Sequence, residues 1–124
     1  MTNLDLDENS AKYQVRAFKP GMIQINEKIY THSLILTPDE LIEDWAPQSI
    51  TELTAETLTS VIRLQPDILL IGTGSKLVFL APQIYGDLIN LGIGVEVMTT
   101  SAACRTYNAL SAENRRVAAA LIIQ

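Results

Sequence analysis

The stretch Val95-Glu-Val-Met-Thr-Thr-Ser-Ala-Ala-Cys-Arg-Thr-Tyr-Asn108 limits the fold more than any other part of the chain. Residues 95–98 read as a short buried strand. Thr99, Thr100 and Ser101 then break the apolar pattern and supply hydroxyls that can cap a helix beginning near Ala102. Ala103, Tyr107 and Leu110 fall at i, i+4 and i+7, one stripe of that helix. A strand that runs straight into a capped helix is half of a βαβ unit, and its loop is where open α/β sheets place ligands.

The other half lies upstream. Asp67-Ile-Leu-Leu-Ile-Gly-Thr-Gly-Ser75 is an apolar strand that leaves through Gly-Thr-Gly. Residues 82–91 read as the crossover helix, with Pro82 in its first turn and Ile84, Leu88 and Leu91 at helical spacing. Gly92 supplies the stop. If the two strands are parallel, the crossover rule brings 72–74 and 99–101 to one edge of the sheet.

Four strings in this region resemble a known family: Leu69-Leu-Ile-Gly-Thr-Gly74, Gly92-Ile-Gly-Val-Glu-Val-Met98, Ala102-Ala-Cys-Arg-Thr-Tyr-Asn108 and Arg115-Arg-Val-Ala-Ala-Ala-Leu121. It is a family of small, largely uncharacterised α/β domains of unknown function that includes mitochondrial complex I assembly factor 3. The resemblance runs most closely over 66–121 and more loosely over 13–45. It implies a fold and, through the mitochondrial member, a role in assembly with protein partners. It implies no reaction. Where relatives often carry an acidic or amide residue after the Met, this chain has Thr99.

Elsewhere, residues 1–12 read as a disordered acidic tail and 13–124 as a single domain. Residues 13–18, 22–25 and 29–36 read as three strands of an antiparallel meander, turned at Pro20-Gly21 and at Asn26-Glu27. Residues 37–40 stop the meander, and 41–45 lean towards a short strand. Thr54 is placed to cap a helix reaching about Leu64, with Leu58, Val61 and Ile62 inward and Pro66 beyond its end. The C-terminal run 117–123 divides two principles, since three alanines favour helix while a short uncapped apolar run fits a buried strand. The resemblance implies a strand antiparallel to the others.

The composition excludes several classes. A net charge of −5 leaves no basic stripe to neutralise phosphates, which argues against nucleic acid. No apolar run approaches the roughly 20 residues of a membrane span, and the acidic start has no apolar signal core. One Cys and one His exclude an internal disulfide and the usual structural metal sites, so no metal or cofactor is expected and the cytoplasm is the natural compartment.

Candidate chemistry gathers on the sheet edge. Residues 72–76 could cradle an anion with backbone N–H groups and the Lys76 ammonium, although the dinucleotide and Walker spacings are absent. A tight strand exit that needs a glycine is the plainer account. Cys104, beside Arg105 in the first turn of a helix, is placed as an activated thiol would be. A small buried side chain is the commoner fate of such a cysteine, and His32, the single histidine, lies in the other half of the chain. Arg105 can clamp a carboxylate or phosphate, or else pair with Glu96 or Glu113. Tyr107 adds apolar area and a hydroxyl, and Asn108 could tie down a neighbouring loop. Asp39, Glu40, Glu43 and Asp44 read as a solvated acidic face rather than a catalytic pair. Trp45 reads as a core cover on the meander.

The expected architecture is therefore a three-layer α/β domain: a mixed central sheet with packed helices and an N-terminal antiparallel meander. The expected function is a soluble interaction or assembly protein working through Thr73, Ser75, Thr99, Thr100, Ser101, Arg105 and Asn108. The rival is a small-anion binder or enzyme with a pocket at the 72–76/99–105 edge and Cys104 as nucleophile. A homodimer through the open meander edge is compatible with either.

Overall fold

The computed structural model describes residues 11–124. Its first elements follow from turn chemistry. β1 (Val15–Lys19) and β2 (Met22–Ile25) are joined by Pro20-Gly21, with Gly21 at φ +88°, a region that side chains resist. β2 and β3 (Lys28–Tyr30) are joined through Asn26 at φ +53°, which asparagine tolerates. The three strands form an antiparallel sheet in the order β1-β2-β3. The expected 1–12 tail lies outside the described residues except for its last two positions. Of these, Lys12 is tied down, its N–H donating to Pro38 O at 2.8 Å and its carbonyl accepting from Asn26 Nδ2 at 2.8 Å.

Residues 29–36 do not form one strand. The chain bends at His32, and β4 (Leu34–Leu36) joins a second sheet. Both halves of the run suit a strand equally, so propensity could not mark the break. Burial marks it: Ile29 on β3 is 56% exposed, while all three residues of β4 are buried. Thr37 then turns the chain, its Oγ1 accepting from Glu40 N at 2.8 Å, and β5 (Leu41–Ile42) returns antiparallel to β4.

The expected helix from Thr54 begins instead as a 3-10 turn at Glu56–Leu58 and becomes α1 only over Thr59–Leu64. Thr57 Oγ1 donates to Thr54 O at 2.8 Å and Thr57 N–H to Thr54 Oγ1 at 3.3 Å, which holds the tighter turn. Three residues per turn puts Leu58 and Val61 on the buried side and rotates Ile62 outward, where it is 39% exposed. Gln65 at φ +50° and Pro66 end the helix.

The remainder is β6 (Ile68–Gly72), α2 (Pro82–Asn90), β7 (Gly94–Met98), α3 (Thr100–Ala112) and β8 (Val117–Leu121). Pro82 sits in the first turn of α2, and Gly92 at φ +87° follows its end. Leu91, expected inward, lies past that end and is exposed. α3 starts two residues before Ala102 and runs through 110–111 without a break.

The central sheet has the order β5-β4-β8-β6-β7. β6 is parallel to both β7 and β8, so β8 is antiparallel only to β4 and not, as expected, to all its neighbours. α3 carries the chain from β7 back across β6, and a crossover of that length delivers the next strand parallel. Because the β6-to-β7 and β7-to-β8 connections run in opposite directions, their helices fall on opposite faces. Side-chain alternation then builds two cores. Leu70, Ala119 and Leu121 point to α3 and the meander, packing with Ile23, Ile25 and Tyr107. Leu69, Ile71, Ala118 and Ala120 point to the other face, packing with Val61 and Leu88. Trp45 belongs to this second core, not to the meander, and its Nε1–H donates to Thr57 O at 2.7 Å.

Candidate functional site

β6 and β7 are adjacent and parallel, and the loops at their carboxyl ends depart to opposite faces. Such a switch point normally leaves a crevice. Here Thr100 fills it. Thr100 Oγ1 accepts from Gly74 N–H at 2.8 Å and donates to Ile122 O at 2.6 Å, and Thr100 N–H donates to Gly74 O at 2.9 Å. A Cβ on Gly72 would stand 2.9 Å from Thr100 Cα, and one on Gly74, at φ +99°, would stand 2.8 Å from Gln124 O. The two loops thus meet as expected, but backbone to backbone. Gly74 N–H, which the anion cradle needed, is already bonded, and Thr73 N–H is spent on Met98 O at 2.9 Å.

The seven candidate residues divide by depth. Thr73 is buried, its Oγ1 donating to Lys76 O at 2.6 Å. Thr99 is the N-cap of α3, its Oγ1 accepting from Ala102 N–H at 3.3 Å. Thr100 is the buried plug. Ser75, Ser101 and Arg105 are exposed, and Arg105 donates to Ser101 Oγ at 2.8 Å, one helical turn away, rather than pairing with Glu96 or Glu113. Asn108 faces the meander: Oδ1 accepts from Val15 N–H at 3.0 Å and Nδ2 donates to Val15 O at 2.8 Å. It ties β1 to α3 in the way a paired strand would.

Cys104 is buried, and burial pushes its thiol up to about 12, with the Arg105 charge only partly opposing that. Burial thus favours the thiol over the thiolate that a nucleophile needs. Tyr107 is also buried and donates to Tyr13 O at 2.6 Å, and its hydroxyl is held above its ordinary range by burial first and by the Asp39 charge second. His32 is exposed at its bend, and Asp39, Glu40, Glu43 and Asp44 all face solvent. Cavities of about 250 and 360 Å³ lie at the opposite edge of the sheet, beside Pro66, and neither is lined by residues of the 72–76/99–105 edge.

The chain's least expected feature is in the loop after Gly74. Phe79 is 90% exposed and Leu77 49%. The loop is braced at one end by the Thr73 and Gly74 bonds and at the other by Ile84 N–H donating to Ala81 O at 2.9 Å. Residues 77–80 are uniformly apolar, which reads as core by composition. Leu80 packs against the second core while Leu77 and Phe79 stay outside it, and nothing in the uniform run itself separates them.

A family model described as a protein of unknown function (DUF498/DUF598) matches residues 15–122, nearly the whole described chain. The chain belongs to this family. The DUF498/DUF598 chain is 32% identical over 117 residues to "NADH dehydrogenase [ubiquinone] 1 alpha subcomplex assembly factor 3" of Danio rerio, covering 93% of itself and 67% of that protein. It is 29% identical over 123 residues to the "13 kDa major membrane protein" of a Francisella tularensis strain, covering 98% and 100%. A crystal structure from Bordetella parapertussis superposes with a TM-score of 0.86 at 36% identity, covering 94% of this chain and all of that one. The mixed α/β fold is shared. Among the described residues, no helix is long and apolar enough to cross a membrane.

Proposed function

We propose that this chain is an interaction module of the assembly-factor kind, which docks a protein partner at the carboxyl edge of its central sheet. The observation that carries this is Phe79, a phenyl ring 90% exposed on a loop pinned at both ends. An isolated exposed apolar residue is ordinary, but an aromatic ring displayed with Leu77 on a braced loop is how interfaces present an anchor. Lys76, Ser75, Ser101 and Arg105 supply the polar rim, and all four are exposed. Thr73, Thr99 and Thr100 act beneath it, fixing the loops that hold the rim, while Asn108 ties α3 to the meander. The name of the Danio rerio relative, an NADH dehydrogenase assembly factor, supports a protein partner met during the assembly of a larger complex. The chain would act as a cytoplasmic protein.

The test is affinity capture from the native cell extract, with wild type run beside Phe79→Ser and Arg105→Ala. Each variant is first checked for an unchanged melting temperature. Stoichiometric partners captured by wild type and lost by folded Phe79→Ser are the expected result. A bare wild-type protein, or partners retained by both folded variants, would overturn it.

A further inference from the structure

We infer that the outer edge of β7 is a strand-pairing site for an extended, cationic segment of a partner protein. The inference rests on how the two sheets treat their four edges. β5 is two residues long. β3 is three residues long and opens with Lys28, a charge that discourages pairing. β1 is bulged between Val15 and Ala17, and both backbone groups of Val15 are taken by the Asn108 side chain. β7 has neither a bulge nor a short length, and Glu96 is its single charge. Its five residues pair in unbroken parallel register with Ile68–Gly72 and contain no Pro, Lys or Arg.

The hydrogen-bond phase identifies the open groups. Gly94 N–H donates to Asp67 O and Met98 O accepts from Thr73 N–H, both at 2.9 Å. Residues 94, 96 and 98 therefore face β6, and by alternation Val95 and Val97 aim their N–H and C=O groups outward. Among the described residues, these four groups have no hydrogen-bond partner outside the ladder. α2, which packs on β7, leaves Ile89 half exposed.

Charge selects the occupant. Residues 82–98 carry Asp87 and Glu96, both exposed, and no basic residue. A second copy pairing antiparallel about the strand centre would set Glu96 against Glu96, like charges directly opposite. A segment with Lys or Arg at that position and aliphatic residues on either side meets the acid and both valines. Main-chain bonds then supply affinity, and the alternating side chains supply selectivity.

The probe is the peptide acetyl-Lys-Val-Lys-Val-Lys-amide, with acetyl-Glu-Val-Glu-Val-Glu-amide as control, each at millimolar concentration. The readout is amide hydrogen exchange at single residues. The Lys peptide should slow exchange at Val95 and Val97 and leave Leu70, in the sheet interior, unchanged. The Glu peptide should do nothing. Glu96→Lys should weaken the Lys peptide about fivefold and admit the Glu peptide, since a cross-strand ion pair changes affinity by roughly that factor. Phe79→Ser should leave this binding intact, so the result does not depend on the loop. Unchanged exchange at Val95 and Val97, or equal response of wild type and Glu96→Lys, would overturn the inference. So would a free protein that sediments as a dimer with both amides already protected, because a second copy would then hold the edge.

Discussion

At Gly74 the chain has no room for a methyl group, and a few residues later, at Phe79, it holds a whole phenyl ring in solvent. Both belong to the loop that leaves β6. The contrast separates two ideas that fold topology tends to merge. A switch point between parallel strands says where loops diverge. It does not say that the space between them is empty. Here one threonine fills the space with hydrogen bonds to both neighbouring segments, and the centre of the edge becomes a fastening. Whatever this edge recognises has to meet what the fastening holds outward.

The fastening can be broken without changing its shape. Thr100→Val removes Oγ1 and keeps nearly the same volume. It leaves Gly74 N–H and Ile122 O without their partner in a buried site. Each unsatisfied group costs about 1–3 kcal/mol, so the sum is about 2–6 kcal/mol. Denaturant titration should show that loss as a lower midpoint with an unchanged slope. A loss below about 1 kcal/mol would mean that water reaches the crevice and that the centre of the edge is more open than its geometry implies.

A smaller effect is expected at Tyr107, which fastens α3 to the chain entering β1. Tyr107→Phe removes one bond, to Tyr13 O, and should cost about 1–2 kcal/mol near neutral pH. The pH dependence has a definite sign. Burial holds the folded hydroxyl above its ordinary value, with Asp39 adding to this. Above about pH 10 the unfolded chain loses a proton that the folded chain keeps, and wild-type stability falls as pH rises. Cys104 adds a similar alkaline loss, since its thiol is also pushed up by burial, but it does so equally in both proteins. The advantage of wild type over Tyr107→Phe should therefore shrink above pH 10. Unfolding curves at pH 8 and pH 10.5 check this.

The sequence was informative wherever a residue acts on its own neighbours. Thr99 caps α3, Pro82 and Gly92 bound α2, and Gly21 and Asn26 turn the meander, all through interactions within a few residues. The convergence of 72–74 with 99–101 also followed, because crossover handedness is a general rule. What stayed hidden depends on distant partners. Nothing near Thr100 announces that Gly74 and Ile122 will claim its hydroxyl, and the same three-hydroxyl run would read identically at an open crevice. Asn108 was recognised as a tether, but its target, Val15, lies 93 residues away. The direction of β8 depends on the end of the sheet at which the chain re-enters after α3. Val117–Leu121 reads the same either way, because both of its faces are buried.

The smallest effect on folding should come from the displayed ring. Phe79 is exposed in the folded chain as it is in the unfolded one, so Phe79→Ser changes little between the two states. Its stability should stay within about 0.5 kcal/mol of wild type. A partner that covered the ring would gain the energy of burying it. Burying a phenylalanine is worth about 1.5–3 kcal/mol, which corresponds to roughly 10- to 150-fold in a dissociation constant. A folded Phe79→Ser protein that binds a captured partner in that range more weakly, measured by calorimetry, would place the energy where the exposure suggests. If Phe79→Ser instead lost as much stability as Thr100→Val, the ring would be packed in solution and the two halves of the edge would not differ as described. If stability and affinity both stayed level, the anchor would lie elsewhere, and the rim of Lys76 and Arg105 would be the next surface to neutralise.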